Sequence, residues 1–255
     1  LANSVIGSHL AHDPALGRVS RILARAIGTP EIGLRVRTLH VVRAAEAEGG
    51  RNVLDAGCGA GFIALTLASR NPDLHIVGAD VNAAQVDRAR AIATANGMSN
   101  ASFVTSLDDA ALDHFDVVLC IDTIEYVSDP APFVDAIHAR LAPGGALLLH
   151  CRRTPTPRVL ERFRRLDPLS DGRLRAGYDE AGIIDLVARS GLVVESVEET
   201  MRLTAELGFE LTHPDHGLVR SRAGRYALLP ALAPLGRLDM GGHGAGLLVT
   251  ARRPL

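Results

Sequence analysis

Val53-Leu54-Asp55-Ala56-Gly57-Cys58-Gly59-Ala60-Gly61-Phe62 carries a pattern with chemical meaning: an apolar run, a carboxylate, then glycines spaced G-x-G-x-G. Gly57 and Gly59 suit a sharp turn, where positive φ costs little without a Cβ. Gly61 lets a following helix start close to a ligand. A strand feeding such a loop and then a helix N-terminus brings backbone close to a nucleotide-like molecule. Asp80 lies 25 residues beyond Asp55 and ends a second apolar run. A carboxylate there needs a partner, and ribose hydroxyls supply one. His150 closes a third apolar run, and its imidazole titrates near neutrality, so it is the first candidate for a base. Its plainer role is a hydrogen-bonded residue at a strand end. Between residues 152 and 175 stand eight arginines, Arg152 and Arg175 among them, against three acids. Val159, Leu160, Phe163 and Leu166 give that stretch an apolar helical face, so a solvated arginine face is the simple reading. The alternative is that one or two arginines hold an acidic substrate by bidentate contacts.

These residues need a scaffold that gathers them at one edge. Apolar runs and helical periods alternate: strand 52–56 and helix 60–70, strand 74–79 and helix 83–96, strand 101–105, strand 115–121 and a helix near 131–141, then strand 145–151. Asn82 with Gln85 starts the second of these helices and Gly97 stops it. Such alternation requires right-handed crossovers and a parallel sheet buried on both faces. Its ligands sit outside the carboxyl ends of the strands. Ahead of the sheet, 16–27 reads as a helix with Val19, Ile22, Leu23 and Ile27 on one face, and 31–48 as another. Residues 1–13 lack periodicity and read as a flexible or lid-like start. Beyond the sheet come a helix over 180–190 capped by Asp179, strand 192–198, helices over 200–212 and 216–235 ended by Pro230 and Pro234, and a last strand over 246–251. Asp122 and Glu125 fit either a site or a helix-capping pair.

NAD(P) and S-adenosylmethionine (SAM) are both held by a glycine turn and an acid one strand over. The dinucleotide fingerprint places a third glycine where this chain has Phe62, which strains that reading. The chain resembles the class I SAM-dependent methyltransferases of the bacterial small-molecule type. VLDAGCGAG matches their first motif. Ala79-Asp80-Val81 is similar to their ribose-and-adenine segment. Residues 115–127 are similar to their fourth-strand motif, and Leu141 to Leu147 to the turn before their fifth strand. Four ordered motifs cover about residues 50 to 151 and specify fold and cofactor, not acceptor. The resemblance implies a Rossmann-like α/β sheet of seven strands, ordered 3-2-1-4-5-7-6 with the last strand antiparallel. N-terminal helices over 1–50 would cover the substrate, and 152–180 and 200–240 would be cap insertions on the SAM-binding domain of 51–255. It further implies that Asp55 faces the methionine amine, with Gly57, Cys58, Gly59 and Gly61 forming the loop. Asp80 would take the ribose, Val81 would pack on adenine, and Ser106, Leu107 and Asp108 would border the adenine edge. Leu107 and Asp108 leave that last alignment open by one residue. Cys120 and Ile121 would offer carbonyls to the amine. Arg175-Ala176-Gly177-Tyr178 resembles an R-x-G-Y segment that lies near the substrate. Tyr178 and His150 are therefore the catalytic candidates, and Tyr126, Arg152 and Arg175 the substrate contacts. His9, His12, Arg35 and His40 could reach the substrate from the N-terminal helices, though surface positions suit them as well.

Composition narrows the remaining choices. The 255 residues are 47% apolar but only 4% aromatic, so an aliphatic core fills one large domain. Lysine is absent, all 27 basic residues are arginine, and the net charge is −2, which argues against bulk nucleic-acid affinity. Cys58, Cys120 and Cys151 are scattered and odd in number, which fits a reduced, cytoplasmic compartment and no metal site. No apolar run has membrane-span length and no signal peptide is visible. The sequence begins at Leu1, so a start methionine is expected upstream. No N/D-P-P-Y follows strand four, and there is no Pro-Cys pair of the cytosine-C5 type. The expected activity is thus methyl transfer from SAM to oxygen or nitrogen of a small molecule, with a homodimer compatible. A SAM-binding protein that does not methylate, of cyclase or regulatory type, is the alternative; a dehydrogenase is the third.

Overall fold

The computed structural model describes residues 6–110, 114–160, 169, 172–213, 217–219 and 221–255, with 232–238 by backbone alone. Seven strands form one sheet: β1 (Asn52–Ala56), β2 (His75–Ala79), β3 (Ala101–Val104), β4 (Phe115–Ile121), β5 (Leu141–Arg152), β6 (Val193–Thr200) and β7 (Gly246–Arg252). Their order is β3-β2-β1-β4-β5-β7-β6, and β7 runs antiparallel to both neighbours. The helices are α1 (Arg18–Ile27), α2 (Ile32–Glu48), α3 (Phe62–Arg70), α4 (Ala83–Ala95), α5 (Pro130–Arg140), α6 (Glu180–Arg189), α7 (Leu203–Thr212) and α8 (Arg222–Leu238).

Strand alternation splits the aliphatic core in two. Val53, Leu119, Ile121 and Leu148 face α2, α3 and α4. Leu54, Val118, Leu147 and Leu149 face α5 and α6 from the other side. Each face is shielded by helices, as a parallel sheet requires. A third cluster joins Ile32 and Val36 of α2, Ala205 of α7, Leu229 of α8 and Met201. It seats these helices beyond the carboxyl ends of the strands. The caps follow side-chain chemistry: Asn82 accepts the Gln85 N–H at 3.3 Å, and Asp179 accepts the Gly182 N–H at 2.8 Å.

Several expectations are corrected. Val19 and Ile22 of α1 stand 68% and 60% exposed, so that half of the expected apolar stripe faces solvent, while Leu23 is half-buried and Ile27 packs against the third cluster. Residues 8–12 form a 3-10 helix with His9 and Leu10 buried, and Asp13 behind it pairs with Arg88. Helix α8 runs through Pro230 and Pro234 to Leu238. Its face bearing Tyr226 and Leu229 packs on α2 and α7, and that packing holds a helix lacking two N–H donors. No helix starts at Asp122 or Glu125, so the pair caps nothing. Glu161, Arg162, Phe163, Arg164, Arg165, Leu166, Asp167 and Asp171 lie outside the described residues.

Candidate active site

Gly57 and Cys58 donate their amides to the Ala79 carbonyl at 2.7 and 3.0 Å, which ties the glycine loop to the end of β2. Asp80 completes the tie: one carboxylate oxygen accepts the Gly59 N–H at 2.8 Å, the other the Asn82 N–H at 2.9 Å. A Cβ at Gly57 would stand 2.2 Å from the Thr123 side chain, whose hydroxyl donates to the Gly57 carbonyl at 3.2 Å. At Gly59 a Cβ would meet nothing within 4 Å. This loop floors a cleft of about 780 Å³ at the carboxyl ends of β1, β2 and β4.

Of the residues predicted to hold a cofactor, Gly57, Gly59, Asp80, Val81, Ser106, Leu107 and Ile121 lie in the cleft wall. Asp55 is only 2% exposed and sits beneath the loop rather than in the wall. Burial pushes its carboxyl up to about 7; the Ala64 N–H opposes this and the Asp80 charge adds to it. Cys58, Gly61 and Cys120 also lie off the wall. Burial raises both thiols well above their ordinary range, so neither supplies a thiolate. Asp108 lies off the wall and pairs with Arg140 at 3.1 Å, while Leu107 lines the cleft. Thr105, Asn82, Gln85, Thr123 and Phe133 also line the cleft. Asn82 and Gln85 were legible only as a cap; the first turn of α4 turns out to be cleft wall.

A second hollow, about 110 Å³, adjoins the cleft, and Asp122 lies in the walls of both. His150 is 3% exposed here, with Nδ1 2.5 Å from Asp122 Oδ1 and Nε2 2.8 Å from Thr200 Oγ1. In the neutral ring, Nδ1–H donates to the carboxylate and Nε2 accepts from the hydroxyl. Asp122 adopts φ 52 and also pairs with Arg37 of α2. Burial works against its charge, but Arg37 and His150 together hold its carboxyl well below the usual range. Glu125 is fully buried: Oε1 accepts the Arg152 N–H at 2.5 Å, and Oε2 has no hydrogen-bond partner among the described residues. Burial and the Asp122 charge raise its pKa.

Arg152 lines the same cavity, and burial followed by the charges of Arg173 and Arg158 lowers its pKa to about 10. Arg158 pairs with Glu206 of α7, whose carboxyl burial pushes up to about 7 against the pull of Arg158. A further hollow of about 270 Å³ shares Arg37, Phe209 and His213 with this one.

Other predicted contacts fall elsewhere. Arg175 donates to the carbonyls of Ile124, Val127 and Ser128 at 3.0, 2.5 and 3.2 Å, clamping the turn between the hollows and lining neither. Tyr178 packs against the α5–α6 core and has no described partner for its hydroxyl. It too lies off both walls. Tyr126 lines the cleft, not the cavity, with the Arg173 guanidinium 5.8 Å from its ring centre. Among the N-terminal candidates, His9 is buried against Phe62, and burial lowers its pKa to about 4. His12 is exposed, Arg35 caps the 27–29 turn by donating to the Ile27 and Thr29 carbonyls, and His40 pairs with Asp239 at 2.7 Å. The residue that α2 does deliver is Arg37, which no sequence signal distinguished from its neighbours. Among the described residues there is no His, Cys, Asp and Glu cluster that could hold a metal, and no helix is long and apolar enough to cross a membrane.

Residues 47–167 match the family model of a methyltransferase domain. A ubiquinone biosynthesis O-methyltransferase of Hahella chejuensis is 37% identical over 100 residues, which is 38% of this chain and 41% of that protein. The chain therefore spans less than half the length of that relative. An S-adenosylmethionine-dependent methyltransferase from Mesorhizobium loti superposes with a TM-score of 0.56 at 23% identity, over 85% of this chain and 98% of that one. The [4+2]-cyclase SpnF superposes with a TM-score of 0.55 at 22% identity, over 81% and 75%. At these identities the two structures speak for the fold alone, so the cyclase adds no weight to a non-methylating reading. With its glycine loop bound to the acid that ends β2, in a sheet of this order, the chain has the fold of the class I SAM-dependent methyltransferases, and its residues 47–167 match a methyltransferase domain.

Proposed function

We propose that the protein transfers a methyl group from SAM to oxygen or nitrogen of a small, anionic molecule. The observation that carries this is the shared wall at Asp122: a nucleoside-sized cleft and a charged cavity meet at one residue. The cleft suits the donor on its own features. Val81 is 94% exposed there, an apolar surface suited to a flat ring, and Gly59 leaves its floor bare. The Asp80 carboxylate borders the cleft and has lone pairs for ribose hydroxyls beyond its two backbone bonds. When bound, SAM supplies a methyl group already activated on a sulfonium.

What the protein adds is alignment and exclusion of water, and orientation alone supplies roughly 7–11 kcal/mol in favourable cases. The turn at 121–128 is held from behind by Arg175 and in front by Arg37 and His150. Rigidity of that turn fixes the distance between donor and acceptor. Asp122, Glu125 and His150 put acid–base groups at the junction for an acceptor that must lose a proton. Arg152, Arg158 and Arg173 make the cavity cationic and favour an acidic acceptor. Helix α2, the strap from Arg153 to Leu160 and α7 act as the acceptor's cover in this reading. Three free thiols fit a reduced, cytoplasmic setting.

Calorimetric titration tests the donor site. Asp80→Ala should weaken binding of SAM or S-adenosylhomocysteine at least tenfold with the fold intact. Unchanged affinity, or NAD binding in place of SAM, overturns the assignment.

A further inference from the structure

Among the described residues, two polar groups in the cavity wall lack partners where their neighbours have them. Arg37 is paired with Asp122, Arg158 with Glu206, and Arg173 lies over the Tyr126 ring. The guanidinium of Arg152 makes no ion pair or hydrogen bond among the described residues, although it is half-buried beside two other arginines. The charges of Arg173 and Arg158 oppose it more than those of Asp122 and Glu206 support it, and neither acid bonds it; a half-buried cation so placed suits an anion from outside. The second group is Glu125. Its Oε1 takes the amide of Arg152 itself, while Oε2 is buried with no hydrogen-bond partner among the described residues. Buried polar atoms in native proteins nearly always have partners, so an orphan beside a cavity marks where a ligand atom belongs.

Position adds to the case. Glu125 sits on the turn that divides the two hollows: Tyr126 and Val127 line the donor side, Glu125 the cavity side, and Asp122 both. His150, the obvious base, has both ring nitrogens engaged, by Asp122 and Thr200. A free nitrogen is what a general base needs.

Resting on the methyl-transfer reading above, we propose that the buried end of the acceptor combines an anionic group with an O–H or N–H. Arg152 holds the anion, and Glu125 Oε2 takes the hydrogen of the atom being methylated. In the step, a bond forms between that heteroatom and the methyl carbon as the carbon–sulfur bond breaks. The electron pair of the broken bond goes to sulfur, neutralising the sulfonium, and the heteroatom's proton passes to the Glu125 carboxylate. His150 is then a positioning residue that fixes Asp122 and, through it, the dividing turn. A cavity of about 110 Å³ accepts only a few non-hydrogen atoms. A larger acceptor would extend past Arg37 and Phe209 into the adjoining hollow.

Glycolate and acetate are matched probes, since only glycolate carries both an anion and a hydroxyl. Their binding is read by saturation-transfer NMR on the protein saturated with S-adenosylhomocysteine. Glycolate should bind at least fivefold more tightly than acetate. Glu125→Gln, which keeps an oxygen for the Arg152 amide, should shrink that ratio below twofold, and Arg152→Met should weaken both probes at least tenfold. Equal binding of the two by the wild type, no glycolate binding, or a ratio indifferent to Glu125→Gln overturns the proposal. The wild-type contrast decides even if a variant fails to fold. Transfer of labelled methyl to glycolate, lactate, glycine or sarcosine tests the proton acceptor. Glu125→Gln should lower it at least tenfold; transfer to none of them, or transfer lost in His150→Asn but kept in Glu125→Gln, overturns that half. Failure of S-adenosylhomocysteine to bind in calorimetry would instead count against the methyl-transfer reading, while the probe contrast would still report on the cavity.

Discussion

Asp55 illustrates how far a residue's environment can be read from its sequence. The motif identifies the carboxylate, but its depth beneath the glycine loop depends on how β1 packs between β2 and β4. Burial raises its pKa from 3.8 to about 7. The folded chain thus binds this proton more tightly than the unfolded chain does. Its contribution to stability is full below pH 3.8 and is lost as pH rises through 7. A shift of that size corresponds to about 4 kcal/mol by linkage. Asp55→Asn keeps an oxygen for the Ala64 N–H and removes the titration. Urea unfolding should find the variant about as stable as wild type near pH 4 and more stable by a few kcal/mol at pH 8. An equal difference at both pH values would mean Asp55 does not titrate as described. Arg175 and Tyr178 are the contrary case. Their segment resembles a substrate-side motif, yet the arginine is taken by three carbonyls of a turn some fifty residues earlier, and the tyrosine by the core. Neither fate has a local signature.

Among the elements, the strands and the helices between them were legible because strand and helix periods are local properties. The cover was not. Helix α1 turns Val19 and Ile22 of its apolar stripe to solvent and Ile27 onto the third cluster, and α8 continues through two prolines because α2 and α7 support it. The glycine loop lies between these extremes, since its spacing is visible but the separate task of each glycine is not. Gly57, Gly59 and Gly61 all have positive φ, at 82, 53 and 73, so any side chain there costs roughly 1–2 kcal/mol in backbone strain. Their surroundings differ. A Cβ on Gly61 would stand 2.7 Å from the Phe103 ring and 3.1 Å from Ala89, whereas one on Gly59 would enter open space at the cleft. Gly61→Ala should therefore lose overpacking energy as well, roughly 2–5 kcal/mol in total. Gly59→Ala should lose about 1–2 kcal/mol and stay folded, while its affinity for S-adenosylhomocysteine falls at least tenfold. Thermal unfolding alongside calorimetry separates the two, and a Gly59→Ala variant of native affinity would show that the loop does not floor the ligand site.

At the scale of the molecule, the protein is a rigid sheet with a roof assembled from distant parts of the chain. The larger cleft, the proposed donor site, is made by consecutive strand-to-helix turns, and its wall residues lie near the motifs. The smaller cavity, the proposed acceptor site, draws on α2, the end of β5, the strap beyond it and α7, which no window of sequence brings together. What fastens this roof is visible in Glu210 of α7. It is fully buried and accepts the amides of Val159 and Leu160 at 3.0 and 2.6 Å. One turn earlier on α7, Glu206 pairs with Arg158. The strap is thus pinned at three successive residues, all by one helix. Hydrogen bonds to a charged group contribute about 1.5–3 kcal/mol each, so Glu210→Ala removes two of the pins at once. Hydrogen exchange should then show loss of protection in the peptide spanning residues 153–160, while peptides spanning 53–61 and 76–82 exchange as before. S-adenosylhomocysteine affinity should stay within twofold, because no cleft contact is touched. That outcome would make the roof a unit that opens over the acceptor without disturbing the donor. Exchange rising equally in the glycine loop would mean that strap, α7 and sheet open together, and that the cover cannot admit an acceptor independently of the cleft.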